Sequence, residues 1–251
     1  MIERTFAVDG APHVELSMAS GSAVFESGPS GVVDVEIDTR RPDAWTITQS
    51  GRNIYVALDR ASLRGGRDRV RIVLPERSDL SVQTASADVR AQLSLQQLMA
   101  TTASGDVALE DASRASIKTA SGDVRLRQIE GDLDVKSASG DLIGDEVVGK
   151  VAVTTASGDV FIRSVGGDVA VSTASGDVEV EEFLGDNFVA ATMSGDIELG
   201  LPTGRTVRLD AKTLSGSVNL PPRRPASGSG GPTVDIRIKS VSGDVTLRRL
   251  D

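Results

Sequence analysis

The phrase Ser104-Gly105-Asp106-Val107 decides the fold of this chain, because it returns along the sequence almost without change. Five further copies follow: Ser121-Gly122-Asp123-Val124, Ser139-Gly140-Asp141-Leu142, Ser157-Gly158-Asp159-Val160, Ser175-Gly176-Asp177-Val178 and Ser194-Gly195-Asp196-Ile197. Fainter copies lie midway between them, at Gly131-Asp132, Gly149-Lys150, Gly167-Asp168 and Gly185-Asp186. Two unequal steps of about nine residues therefore make one unit of about 18, and a fixed short period is the signature of a repeat architecture.

Within each step the apolar residues alternate with polar ones, as in a half-buried strand. After Gly122, for example, Val124 and Leu126 are apolar, whereas Arg125 and Arg127 are charged. Such alternation predicts a short strand, and the glycine predicts a corner that follows it. Apolar residues do not recur at helical spacing, which excludes a helical repeat. The sequence therefore predicts an all-β fold: a parallel β-solenoid (β-helix) of about ten to twelve coils, each of about 18 residues built from two nine-residue half-coils.

The rest of the chain fits around these repeats as one predicted solenoid domain over residues 1–251. Residues 1–80 lack the phrase but hold predicted strands, so we expect irregular N-terminal capping rungs with strands at 32–38, 45–49, 53–58 and 69–74. Regular repeats occupy residues 81–220. Residues 221–233 are rich in Pro, Gly and Ser, which predicts a flexible loop, and residues 234–251 supply the last rung.

Composition and charge exclude several classes of function. The 251 residues carry a net charge of −9, which argues against a nucleic-acid-binding surface, and contain no cysteine, which rules out disulfides and thiol chemistry. An arginine cluster without aromatic neighbours is interpreted as a solvated loop rather than an anion site: Arg60, Arg64, Arg67, Arg69 and Arg71. Without a signal-peptide pattern or an apolar run of ~18 residues, we expect a cytoplasmic protein with no transmembrane segment, reaching the cell envelope only through a partner.

Stacking the coils turns each repeat position into a column, and the Gly-Asp column is the first candidate site. We predict that it is a structural corner column in which each Asp accepts backbone N–H groups at its own corner, as in an Asx turn. Calcium-binding nonapeptide repeats, Gly-Gly-x-Gly-x-Asp, are the alternative, but here a single Gly directly precedes the Asp, so no metal site is predicted. The column comprises Gly105, Asp106, Gly122, Asp123, Gly140, Asp141, Gly158, Asp159, Gly176, Asp177, Gly195, Asp196, Gly243 and Asp244.

A second column of hydroxyl residues precedes each corner. A flat face of paired threonines would indicate ice binding, but the pattern lacks the second threonine, so we interpret the column as a structural hydroxyl ladder. Its members are Thr84, Thr102, Thr119, Ser137, Thr155, Thr173, Thr192, Thr213 and Ser240.

Catalysis is not expected. The single histidine, His13, has no identifiable triad or metal partner, and each Ser of the repeated phrase belongs to a turn. A carbohydrate-active β-helix enzyme remains the third alternative, but aromatic residues, which line sugar clefts, make up only 3% of the chain. The sequence predicts no catalytic residue and no cofactor.

The iterated Thr-Ala-Ser-Gly-Asp-Val phrase, preceded by strands such as 53–58 and by the Leu74-Pro75 step, resembles a known bacterial family. It is the β-strand-repeat family labelled "putative adhesin", a domain of unknown function; the bactofilin solenoids are a more distant comparison. The resemblance implies a non-catalytic structural or interaction scaffold with a protein partner. The alternative is a self-assembling filament or homo-oligomer subunit, as the bactofilin comparison implies.

Overall fold

The computed structural model describes residues 1–59, 67–221 and 232–250, and almost all of them form β-structure. One short 3₁₀ turn, Pro42–Ala44, interrupts the strands. The internal contacts divide the chain into two compact units, Met1–Gln128 and Ile129–Asp251. No helix of the described residues has the length and apolar character needed to cross a membrane.

The first unit contains long strands that pair in parallel. Its strands are β1 (Ile2–Ala7), β2 (His13–Gly28), β3 (Val32–Asp38), β4 (Trp45–Ser50), β5 (Asn53–Leu58), β6 (Asp68–Pro75), β7 (Ser78–Thr101), β8 (Val107–Lys118) and β9 (Val124–Ile129), which ends at the boundary. Strand β7 pairs in parallel with both β2 and β8. Strand β2 is long enough to pair first with β5 and then with β6, also in parallel.

The predicted N-terminal strands are all present, but part of their pairing is antiparallel. Strand β3 pairs antiparallel with β1 and β6, and β4 pairs antiparallel with β5. A short connection explains the β4–β5 pair: only Ser50–Asn53 turns β4 into β5, and a tight turn joins neighbours antiparallel, whereas a parallel neighbour needs a longer crossover. Strand β3 is not joined to β1 or β6 by such a turn, since β2 lies between β1 and β3 in the chain, and β4 and β5 lie between β3 and β6.

The second unit contains the regular coils. Its strands are β10 (Leu133–Lys136), β11 (Leu142–Val147), β12 (Val151–Thr155), β13 (Val160–Val165), β14 (Val169–Thr173), β15 (Val178–Phe183), β16 (Asn187–Ser194), β17 (Ile197–Pro202), β18 (Thr206–Ser215), β19 (Val218–Asn219), β20 (Thr233–Ser242) and β21 (Val245–Leu250). Every second strand pairs in parallel, β10 with β12, β14 and β16 in turn, and β11 with β13, β15 and β17 in turn. Two strands thus make one coil, which confirms the predicted parallel β-solenoid.

Apolar residues in register fill the interior of this unit. Val151, Val169 and Phe188 stand opposite one another on successive coils, each at most 2% exposed. Phe188 also meets Phe183 edge to face, with ring centroids 5.5 Å apart. Elsewhere in this unit, small branched side chains are enough to fill the interior, because neighbouring parallel strands lie only ~4.8 Å apart.

The order of the last coils differs from the order of the chain. Strand β20 pairs with β16 on one side and β18 on the other, and β21 likewise lies between β17 and β19. The C-terminal segment therefore inserts between two coils that precede it in sequence. The loop expected at 221–233 falls largely on residues 222–231, which lie outside the described residues.

Composition explains this insertion. The inward residues of β20, Val234, Ile236 and Ile238, are fully buried, whereas the inward residues of β18, Val207, Leu209 and Ala211, are half-buried. The three inward residues of β20 are all β-branched, which is typical of strands with neighbours on both sides, whereas the small Ala211 leaves β18 with less apolar area to bury and suits it to an edge.

Candidate functional site

Each regular corner is fixed by a hydrogen bond from the glycine to a hydroxyl three residues earlier. In the first unit the Gly105 N–H donates to Thr102 Oγ1 at 2.9 Å, and Gly122 donates to Thr119 at 2.8 Å. In the second unit Gly158 donates to Thr155 Oγ1 at 3.0 Å. The hydroxyl ladder is therefore part of the corner itself.

Glycine is required at these corners because successive coils approach closely. A Cβ atom on Gly122 would lie 2.0 Å from the carbonyl oxygen of Gly105, well inside van der Waals contact. The contact involves backbone, which cannot swing aside as a flexible side chain can.

The aspartates form a ladder that links each coil to the next. In the first unit Asp106 Oδ1 accepts the N–H of Asp123 at 3.0 Å. In the second unit the same bond, at 2.7–2.9 Å, joins Asp141 to Asp159, Asp159 to Asp177, Asp177 to Asp196, Asp196 to Asp244 and Asp244 to Ser217. We expected these carboxylates to accept at their own corners, and for these residues that expectation is wrong: the donor lies one coil further on. The carboxylate reaches across because the next N–H lies only one strand spacing away.

The ladder accounts for the stacking of like charges. Carboxylates ~4.8 Å apart repel by ~0.9 kcal/mol even in water, and a hydrogen bond to a charged acceptor offsets this by about 1.5–3 kcal/mol. Within the described ranges, no group of three or more His, Asp or Glu is arranged to hold a metal ion.

The corner geometry changes at the later coils of the second unit. Gly195 and Gly243 adopt φ of +146° and +144°, a region open to glycine. The Gly195 N–H now donates to the Ser242 carbonyl at 3.1 Å. The hydroxyls that precede these later corners no longer accept the glycine N–H: among the described residues, the buried side-chain oxygens of Thr173, Thr192 and Ser240 have no hydrogen-bond partner.

These same coils carry an exposed apolar row, defined as Met193, Val241 and Leu214. On each of the strands β16, β20 and β18, the residues directly before and after the row member pair with their counterparts on the neighbouring strand. The three members therefore stand side by side in register. Their side chains are 63%, 49% and 85% exposed, respectively. Earlier coils have alanine at this position, as in Ala156 and Ala174.

The coil that ends this unit also exposes apolar residues. This terminal coil, residues 206–220, comprises β18 and β19, which pair only with β20 and β21 within the described parts of the chain. Its inward Leu209 is half-buried, whereas the matching Ile236 of β20 is fully buried. Val218 and Leu220 are 39% and 56% exposed. The strand edge and the row together form one open end.

The other sequence candidates form no comparable arrangement. His13 lies on the surface with its Nε2 3.3 Å from Glu15 Oε1. Arg71 is held by Glu26 and Glu36, which raise the pKa of its guanidinium, and Arg69 lies 3.8 Å from Asp38. Arg60 and Arg64 lie outside the described residues.

A groove of about 350 Å³ on the second unit is lined by four glutamates, two arginines and two uncharged residues: Glu179, Glu181, Glu182, Glu198, Arg163, Arg248, Gly200 and Leu250. Two arginines at its rim are engaged by carboxylates: Arg163 with Asp145 at 2.6 Å, and Arg248 with Glu198. Each arginine therefore has a carboxylate partner, which a bound anion could not replace without cost.

The fold and its corners define a β-solenoid repeat protein. The family model of Toastrack DUF4097 matches residues 31–248, and the chain belongs to this family. A search of curated proteins finds no match.

Solved structures resemble the chain over nearly its full length at low identity. A "putative adhesin" from Parabacteroides merdae ATCC 43184 is 12% identical with a TM-score of 0.45, covering 100% of this chain and 96% of that one. Another from Bacteroides fragilis NCTC 9343 is 13% identical with a TM-score of 0.44, covering 99% and 96%. A "putative lipid binding protein" from Parabacteroides distasonis ATCC 8503 is 14% identical with a TM-score of 0.46, covering 99% and 97%.

Proposed function

We propose that the protein is a non-catalytic structural scaffold that binds a protein partner through its apolar row. One observation carries this proposal: Met193, Val241 and Leu214 stand side by side on three strands and remain largely exposed. Contiguous exposed apolar side chains mark interaction sites in soluble proteins, whereas single ones need no explanation.

The contrast with the preceding coils supports a binding role. Alanine fills the same corner position at Ala138, Ala156 and Ala174, so the corner can be built without a large side chain. Replacing alanine by Met, Val or Leu here exposes apolar area to water without adding to the core. Burial of that area by a partner would recover about 25 cal/mol for each Å² covered.

A catalytic role has no comparable support. Trp45, which an aromatic-lined sugar cleft would present to solvent, is only 8% exposed. His13, on β2, contacts Glu15 on the same strand, with its Nε2 3.3 Å from Glu15 Oε1.

The direct test is site-specific photo-crosslinking in cells that express the protein. A photoreactive phenylalanine analogue is placed at Met193 or Val241, and at Ala156 as the matched position on an earlier coil. We expect one discrete adduct, of the same mass, from Met193 and Val241 but not from Ala156.

Competition makes the test specific. The adduct at Val241 should weaken when Met193 is also changed to Ala, the residue that earlier coils carry. Equal labelling at all three positions, or no adduct at any of them, would refute binding through the apolar row.

A further inference from the structure

Strand β18, Thr206–Ser215, is ten residues long and lies at the edge of the sheet. Strand β20 occupies one side of β18, and no described residue pairs with the other side. An open strand edge directs N–H and C=O groups outward and is a template for pairing with another chain. At this open end the strand edge and the apolar row share one residue, Leu214, which lies near the end of β18 at the corner.

We propose that a second copy of the chain covers this edge, with β18 of each copy pairing antiparallel about a two-fold axis at Leu209. A two-fold interface uses the same patch on both copies, so the patch must complement itself. The sequence of β18 meets this condition in both its inward and its outward residues.

The outward residues alternate in charge. Arg208, Asp210 and Lys212 are all exposed, and their partners within the chain lie in exposed pairs: Arg208 with Asp235 at 3.2 Å and Lys212 with Asp210 at 3.4 Å. In antiparallel pairing centred on Leu209, Arg208 of each copy stands opposite Asp210 of the other. Centring on Asp210 instead would oppose Arg208 to Lys212 and Asp210 to itself, which is unfavourable.

The inward residues agree with the same register. Leu209 would meet Leu209, and Val207 would meet Ala211, so the half-exposed apolar residues of two terminal coils would cover each other. Shifting the pairing by one residue would oppose inward to outward side chains, because the strand period is two.

The edge strand β4 of the first unit is a poorer partner. Its sequence, Trp-Thr-Ile-Thr-Gln-Ser, contains no charged residue that could face Arg208 or Asp210 of another copy. Strand β1, which pairs only with β3 among the described strands, carries Glu3 and Arg4, but adjacent residues of a strand point to opposite faces, so β1 offers one charge rather than two on the face of Arg208 and Asp210. Charge complementarity therefore favours a closed pair of identical ends over head-to-tail growth into a filament.

Light scattering after size-exclusion chromatography, over a range of protein concentrations, tests the pair. The wild type should reach twice its chain mass of 26.2 kDa and stop there. Arg208→Asp alone, or Asp210→Arg alone, should raise the dissociation constant of the pair on the order of tenfold or more, since each places two like-charge contacts in the interface.

Restoration by charge exchange gives the sharper result. The double variant R208D/D210R should pair again, and an equimolar mixture of the two single variants should form a mixed pair. Arg90→Asp, on the fully paired strand β7, is the matched control and should leave the mass unchanged.

Several outcomes would overturn the proposal. They are a monomeric wild type at every concentration, masses that grow beyond two chains, or an Arg208→Asp variant that pairs as tightly as the wild type. A monomer that still yields the Met193 adduct with another protein would refute the pair and leave the scaffold function standing. A pair that yields no Met193 adduct would support the pairing of two copies and refute binding of a protein partner through the apolar row.

Discussion

At the scale of single residues, the close approach of successive coils explains why glycine recurs. Gly122→Ala should destabilise the fold by about 2–4 kcal/mol, because the new Cβ would lie 2.0 Å from the Gly105 carbonyl oxygen. Gly144→Ala is the matched control, since its Cβ would meet Ile162 side-chain atoms at an ordinary 3.6 Å. Urea unfolding measures both, and equal losses of stability would contradict the account.

The Asp ladder makes a second prediction at this scale. Asp159→Ala removes the acceptor for the Asp177 N–H, at 2.8 Å, and should lower the free energy of unfolding by about 1–2 kcal/mol. Asp159→Asn keeps an oxygen in the same place and should lose less. A larger loss for Asn than for Ala, in chemical unfolding, would show that the carboxylate does not act as this acceptor.

At the scale of elements, the change in corner geometry predicts opposite responses from two similar threonines. Thr155→Val should destabilise the fold by about 1 kcal/mol, because Thr155 Oγ1 accepts the Gly158 N–H. Thr173→Val should be neutral or stabilising, since its buried hydroxyl has no hydrogen-bond partner within the part of the chain that the structure describes. Thermal unfolding distinguishes the two, and a destabilised Thr173→Val would contradict the observed corner.

Exposure of the apolar row predicts that it adds little to stability. Met193→Ala should change the free energy of unfolding by less than about 0.5 kcal/mol, because the side chain is 63% exposed and earlier coils carry alanine there. Calorimetry on the purified protein measures this change. A loss above 2 kcal/mol would mean that Met193 serves the core rather than a binding surface.

At the scale of the whole molecule, the repeat period was enough to predict a parallel β-solenoid, and the strands at 32–38, 45–49, 53–58 and 69–74 are present. The hydrogen-bond donor to each Asp carboxylate was not predictable from the sequence, because backbone N–H groups are available both at its own corner and on the next coil. The apolar row could have been noticed where Met193 replaces alanine in the phrase. The alignment of its three members depends on the spatial order of the coils. Thr213–Ser217 and Ser240–Asp244 repeat one pattern, so the sequence does not show which of the two lies next to β16.

The insertion of β20 between β16 and β18 aligns the apolar row and leaves β18 at the edge, so both proposed surfaces depend on it. Engineered cysteine pairs test it cleanly, since the chain contains no cysteine. Ser194 and Ser215 each stand opposite Ser242, and therefore lie two strands apart. Disulfides need Cα atoms about 4.4–6.8 Å apart, whereas two strand spacings are ~9.6 Å.

If β20 lies between β16 and β18, mild oxidation should close intramolecular disulfides in the pairs Ser194→Cys with Ser242→Cys and Ser215→Cys with Ser242→Cys, measured by intact mass and gel mobility. The pair Ser194→Cys with Ser215→Cys should stay reduced. Rapid closure of that third pair, with the Ser194→Cys and Ser242→Cys pair remaining open, would place the coils in chain order and contradict the account.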